Sequence, residues 1–268
     1  MINNENPYNF NNFLITSGVV IDILSQHNIN DFKIKDISLF IKSFIHESYT
    51  NLKCYEEFKN DNKCLDLQKE SYERLEFLGD SFIGCIVAEY LYKRYHEIYG
   101  VNEGFMTKLR TRIVMGKTLT YLSFKIGFHK YIVISKWIED KHNGRNNMTD
   151  HKILCDVFEA FCGAIYLNSD FFTLQKFLIS VIEKYIDFSD FILNDINYKD
   201  KLSRYIHKTY NYYPNYIVNE TIIDNIKMYK CIIKNNKDEI ISEYVSENKK
   251  QAEQSSAKLA LKYYNILN

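Results

Sequence analysis

Three acids, Glu73, Glu76 and Asp80, fall three and four residues apart within Tyr72-Glu73-Arg74-Leu75-Glu76-Phe77-Leu78-Gly79-Asp80-Ser81. On a helix that spacing puts all three carboxylates on one stripe. A second couple, Asp156 and Glu159, stands three apart beside Phe161, Ala164 and Ile165. Carboxylates embedded in apolar helices are costly unless they are paired, protonated or bound to a cation. If the two helices pack, Glu76, Asp80, Asp156 and Glu159 converge in one small space. Mutual repulsion then raises their pKa values, and a divalent cation relieves it. Donors that are all oxygen favour Mg²⁺ or Mn²⁺ over zinc. Any one of these acids alone reads as a helix cap or a surface ion pair, but two couples on the two most apolar helices do not. No nucleophilic Ser or Cys and no histidine base accompanies them; His151, near the second couple, reads as a helix-start or surface residue.

The elements that must position these acids are helical. Apolar residues recur at helical spacing from Phe13 to Leu24 and from Asp36 to Phe44. A long helix is expected over 71–95, central because apolar positions cover most of its circumference. Helical pattern returns at 105–115, 119–126, 153–167 and 172–186. Residues 1–12 are Asn-rich and read as loose. Residues 51–70 read as an exposed, partly helical insertion, and the polar run around Asn143–Asn147 as a surface loop. After Asp195 the pattern changes to a helix over 199–209, short strands over 213–219, 228–234 and 240–245, a hairpin turn at 235–238, and a closing helix over 249–266. That order, α-β-β-β-α, makes a small α+β domain.

Only 9 Gly and 2 Pro in 268 residues argue against a loop-rich all-β chain. Net charge is +0, yet Tyr198 to Asn268 holds 12 Lys and Arg against 8 Asp and Glu. An acidic body therefore precedes a basic tail. The six cysteines show no C-x-x-C pair and no zinc spacing, and Cys155 and Cys162 read as reduced core packing. The N-terminus lacks a signal pattern and apolar runs are too short to span a bilayer. These features point away from the membrane and to a reducing intracellular compartment: cytoplasm or nucleus, or the host cytoplasm for a viral chain.

Glu73-Arg74-Leu75-Glu76-Phe77-Leu78-Gly79-Asp80-Ser81 resembles, without a mismatch, the nine-residue signature of the ribonuclease III family. His46-Glu47-Ser48-Tyr49 looks like the family's helix before the signature, although the insertion that follows is longer than in compact bacterial members. Glu103-Gly104 with Lys108-Leu109-Arg110 is similar to the middle helix. Asp156-Val157-Phe158-Glu159-Ala160 looks like the second acidic motif, closed by Leu167-Asn168-Ser169-Asp170. The resemblance implies an all-α endonuclease domain that hydrolyses double-stranded RNA with Mg²⁺, Mn²⁺ being a substitute. A metal-activated water would leave a 5′-phosphate and a 3′-hydroxyl, with two ions about 3.5–4 Å apart at the scissile bond. Carried over residue by residue, Glu76, Asp80, Asp156 and Glu159 match the catalytic, metal-binding carboxylates, and Glu73 a supporting acid. Phe77 matches a phenylalanine that inserts into a partner subunit, which implies a homodimer.

The tail resembles the double-stranded RNA-binding domain. Lys249-Lys250-Gln251-Ala252 looks like its K-K-x-A motif, in which the paired lysines meet phosphates across the major groove. Glu253 stands where many such domains carry a third lysine. Ser203-Arg204 replaces the usual Gln and Glu of the first helix, and 219–227 lacks the usual Gly and His between the first two strands. The expected organisation is an extension over 1–33, a catalytic domain over 34–190 with the 51–70 insertion, a linker over 191–197, and the RNA-binding domain over 198–268. The rival expectation is a protein that sequesters duplex RNA without cutting it.

Overall fold

Between Lys152 and Asn168 nearly every side chain is apolar or small, and a helix that apolar all round must be enclosed by others. In the computed structural model, which describes residues 5–60, 64–148, 152–189, 197–223 and 226–267, it is. The chain divides into two compact units, Met1–Phe191 and Ile192–Asn268. The first is helical: α1 (Ser17–Ser25), α2 (Ile37–Lys42), α3 (Glu73–Leu91), α4 (Glu103–Val114), α5 (Gly116–Ile126), α6 (Lys136–Lys141), α7 (Lys152–Asn168) and α8 (Phe171–Tyr185). Helices α2, α3, α5 and α8 all pack on α7. The central element is thus α7 rather than α3. Helix α3 buries Leu75, Gly79, Ile83, Ile86 and Val87 on one side and exposes Glu73, Phe77, Asp80 and Ser81 on the other.

The α3–α7 crossing has no side chains between the backbones at its closest point. A Cβ on Gly79 would stand 1.8 Å from the Glu159 carbonyl oxygen, and one on Gly163 would stand 2.5 Å from that of Leu75. Each helix therefore needs glycine where the other passes.

Two segments differ from expectation, while a third, the 51–70 insertion, is mostly open to solvent with a helical turn at Lys53–Tyr55, as expected. Residues 5–16 contain no helix but are not loose: Asn9 donates to the Ile134 carbonyl at 3.2 Å and to Glu139 at 2.6 Å, and Asn12 donates to the Ile134 carbonyl at 2.8 Å. The polar run at 143–147 is not a free surface loop either. Arg145 reaches inward to Glu139 at 3.2 Å and to the Ile132 carbonyl at 2.8 Å. A buried carboxylate needs such a partner, and Asn9 together with Asn11, which donates to Glu139 Oε1 at 2.9 Å, supplies its remaining hydrogen bonds. The 51–70 insertion is tied down where it is described. Thr50 bridges Gln68, the Tyr49 hydroxyl donates to Leu65, and Tyr55 is buried.

The second unit has the expected α-β-β-β-α order: α9 (Tyr198–Tyr210), β1 (Asn215–Ile223), β2 (Ile226–Lys234), β3 (Ile240–Ser246) and α10 (Lys249–Tyr263). The sheet is antiparallel in the order β1-β2-β3, with Asn215 opposite Lys234 and Ile223 opposite Ile226. Strands β1 and β2 run further than expected, because β-branched Thr221, Ile222 and Ile223 extend the ladder into what reads as a loop. Ala252, Ala257 and Ala260 face the sheet, so α10 packs closely on Cys231 and Ile233. Ser256 donates to the Cys231 carbonyl at 2.8 Å. The 191–196 part of the expected linker lies outside the described residues.

The glycine crossing makes a test with an internal control. Gly163→Ala should lower the unfolding free energy by about 1–3 kcal/mol, since its methyl meets backbone that cannot turn away. Gly84→Ala, on α3 with nothing within 4 Å of a built Cβ, should instead raise it by about 0.5–1 kcal/mol. Urea unfolding followed by circular dichroism checks both signs, and equal midpoints for the two variants would contradict the crossing.

Candidate active site

Glu76 and Asp80 lie on α3 either side of Gly79, and Asp156 and Glu159 lie on α7 opposite. The backbone contact thus brings the two acid couples face to face. Asp156 and Glu159 are buried, at 6% and 8% exposure. Glu76 is half-buried and Asp80 exposed.

The charges act on one another as such packing requires. Burial first, then the charges of Asp80, Asp156 and Glu76, push Glu159 up to about 7. Burial and the Asp156 charge raise Glu76, and burial raises Asp156. Glu73 is exposed at the edge of the group, where its charge adds to the shifts of Glu76 and Asp156. It also raises the nearby Glu47, whose own burial is the larger cause.

Three further side chains reach the acids, and none was singled out from the sequence as part of the site. The buried Tyr72 hydroxyl donates to Asp156 Oδ2 at 3.2 Å. Lys152 Nζ lies 3.5 Å from Asp156 Oδ2 and 4.0 Å from Glu76 Oε1, on a side chain that is 79% exposed. Cys155, expected as plain core packing, points its thiol at Glu159 Oε1 across 3.5 Å, and burial pushes that thiol up. Helical arithmetic could have found two of them: Lys152 precedes Asp156 by four residues, and Cys155 precedes Glu159 by four. His151 lies outside the described residues.

Phe77, next to Glu76, is 79% exposed. Within one chain it is therefore no core residue. In the second unit Lys249 and Lys250 are exposed in the first turn of α10, where the Asn248 side chain accepts from Lys250 N at 2.9 Å and Gln251 N at 3.2 Å. Glu253, one turn on, is held by Lys199 Nζ at 2.8 Å. Arg204 pairs with Asp200 at 2.8 Å.

The donor set fits a hard divalent cation: four carboxylates, two of them out of water, with an exposed lysine as the nearest cation. Hard cations held by carboxylates serve phosphoryl transfer and hydrolysis, so the helical unit has the makings of a metal-dependent nuclease. A family model described as "Ribonuclease III domain" matches residues 73–170, and one described as "Double-stranded RNA binding motif" matches 198–264. A Fusobacterium nucleatum protein named "Ribonuclease 3" is 34% identical over 250 residues, covering 90% of this chain and 97% of that protein. "Probable ribonuclease 3" of Acanthamoeba polyphaga mimivirus is 36% identical over 244 residues, 86% of this chain but 43% of the relative. "Putative protein A464R" of Paramecium bursaria Chlorella virus 1 is 35% identical over 192 residues, 71% of this chain and 66% of the relative. The chain belongs to the ribonuclease III family, a family of divalent-metal-dependent nucleases, and carries a double-stranded RNA-binding motif after its nuclease domain. It spans less than two thirds of the length of the two viral relatives. No described helix is long and apolar enough to cross a membrane.

The raised Glu159 gives a pH signature. Between its ordinary value of 4.5 and about 7, the folded metal-free chain holds a proton that the unfolded chain has released. Stability therefore falls as pH rises through that window and levels off above it. In EDTA the melting temperature should decline from about pH 5 to about pH 7, and Glu159→Gln should make the decline shallower. Thermal melts of both proteins across that range check the sign; parallel curves would contradict the shift.

Proposed function

We propose that the chain is an endoribonuclease that hydrolyses double-stranded RNA, leaving 5′-phosphate and 3′-hydroxyl ends. In this reading 34–190 is the catalytic part and 198–268 the duplex-binding part. Glu76, Asp80, Asp156 and Glu159 hold the divalent cation, Mg²⁺ with Mn²⁺ as a substitute. The observation that carries the reading is the burial of Asp156 and Glu159 among like charges. A protein that only sequesters duplex RNA has no use for that costly arrangement.

When bound, the ion supplies charge neutralisation and Lewis acidity for phosphodiester hydrolysis. The rest falls to the chain. Tyr72 fixes the orientation of Asp156 through its hydroxyl. Lys152 offsets Asp156 and Glu76 in the metal-free state and, being on an exposed side chain, is free to swing toward an incoming phosphate. Glu73 supports the group from its edge. Lys249 and Lys250 meet duplex phosphates at the start of α10, where the helix dipole adds to their charge. Glu253, occupied by Lys199, opposes them less than a free acid would. The six free thiols favour a reducing compartment.

Glu159→Gln or Asp80→Asn should abolish cleavage of a labelled duplex in Mg²⁺ while gel-shift affinity persists. Lys249→Ala with Lys250→Ala should do the converse, weakening binding to all sequences alike and flattening its salt dependence. A Glu159→Gln protein that still turns over near the wild-type rate would refute the site.

One set of carboxylates cuts one strand, so a double-strand cut calls for two sets related by a twofold axis, which a homodimer supplies. The exposed ring of Phe77, beside Glu76 on the site-bearing helix, supports that helix as the dimer contact. Phe77→Ala should change the unfolding free energy of the single chain by no more than about 0.5 kcal/mol, as for any exposed side chain. It should nonetheless convert dimers to folded monomers in sedimentation. A wild-type monomer at micromolar concentration that still makes double-strand cuts would refute the dimer.

A further inference from the structure

Among the carboxylates sits one donor that chemistry on a hard cation does not require. Cys155 stands directly before Asp156 and one turn before Glu159, 7% exposed. Its sulfur, an oxygen of Asp156 and an oxygen of Glu159 all lie within 4.8 Å of one another. The sulfur is 3.5 Å from Glu159 Oε1. Two donors bound at about 2.0–2.3 Å to one tetrahedral ion stand roughly 3.5 Å apart, so this pair already has the spacing of ligands to a single ion. Gly116, at the start of α5, stands on the sulfur: a Cβ built there would be 3.6 Å from Sγ.

We propose that Cys155, Asp156 and Glu159 form a mixed sulfur–oxygen site for a thiophilic divalent cation, Zn²⁺ or Cd²⁺, which competes with the hard cation for the same carboxylates. The inference rests on the reading of Asp156 and Glu159 as ligands of the catalytic ion. Zn²⁺ accepts four donors of mixed sulfur and oxygen character, whereas Mg²⁺ demands near-octahedral oxygen and gains nothing from a thiol. Binding breaks the S–H bond. Its electron pair stays on sulfur to form the bond to the ion, and the proton leaves to bulk water; nothing is oxidised or reduced. An ion held this way occupies Asp156 and Glu159 and withholds them from Mg²⁺, so Zn²⁺ and Cd²⁺ act as inhibitors.

The test uses the full chain with Cys54, Cys64 and Cys85 changed to serine, which removes the thiols that are not buried. Titration with Cd²⁺ should raise a near-ultraviolet sulfur-to-cadmium charge-transfer band, lost on Cys155→Ala and weakened by Glu159→Gln. Calorimetry should show the ratio of Zn²⁺ to Mg²⁺ affinity falling by on the order of 10–100-fold in Cys155→Ala, at least the loss typical of a disturbed metal shell. If the triple-serine chain does not fold, the difference spectrum between wild type and Cys155→Ala gives the same readout. No band, or a band that Cys155→Ala retains, overturns the inference even where the wild type cuts duplex RNA in Mg²⁺. A band that Cys155→Ala removes, in a protein that does not cut in Mg²⁺, upholds the sulfur–oxygen site and overturns the proposed function instead.

Discussion

Two helix backbones in contact at Gly79 and Gly163 set the spacing on which the helical unit depends. Helices separated by ordinary side chains run about 8–10 Å apart. Here the carbonyls of Glu159 and Leu75 occupy the volume that two methyl groups would need. Gly79 lies between Glu76 and Asp80, and Gly163 lies one turn beyond Glu159. The closest approach thus falls within about a turn of each of these acids. A glycine inside a helix costs about 0.5–1 kcal/mol relative to alanine. The fold accepts that local cost twice to bring the acid couples together.

The same closeness creates the electrostatic problem that defines the site. Burial alone raises a carboxylate, and each additional acid raises it further. Glu159 meets both causes and holds its proton to about pH 7. The chain offsets the strain only in part. Tyr72 gives Asp156 a hydrogen bond, and Lys152 lends a positive charge on a side chain mostly in water, where such attraction is weak. A structure optimised for stability would have placed apolar groups here, as active sites commonly fail to do. The residual repulsion is also a reservoir of affinity: a divalent ion that replaces the proton on Glu159 and quiets its neighbours gains what the empty arrangement lacks.

Much of this was readable in the sequence, for reasons that can be named. Acids on the apolar helices α3 and α7 announce themselves because helical spacing and hydrophobic pattern are local signals. The α-β-β-β-α order is carried by the same kind of signal. What was hidden is whatever depends on partners distant in the chain. Asn9, Asn11 and Arg145 read as polar loop residues, yet all three bond Glu139, the two asparagines from more than a hundred residues away in sequence. Cys155 is apolar by type, and only the packing tells that it faces the acids. Gly79 passed as a letter of a signature, although its missing side chain is what lets Glu76 and Asp80 meet Asp156 and Glu159. The central helix also needs the packing: apolar positions cover most of the circumference of α3, yet Glu73, Phe77, Asp80 and Ser81 stay exposed while α7 is enclosed nearly all round.

A net charge of +0 conceals two opposed fields rather than the absence of any. At physiological salt a charge is felt over about 8–10 Å, so a polyanion responds to the unit beside it and not to the sum over the chain. The basic tail offers lysines at a helix start, whose attraction to phosphate weakens as salt rises. The acidic body repels phosphate until a cation intervenes, and its attraction then depends on that ion. In the proposed reading, salt sensitivity and metal sensitivity therefore belong to different units of the chain. The acids that repel RNA are, on that reading, the ones that hold the ion, so the basic unit would hold a duplex before the acidic unit becomes competent.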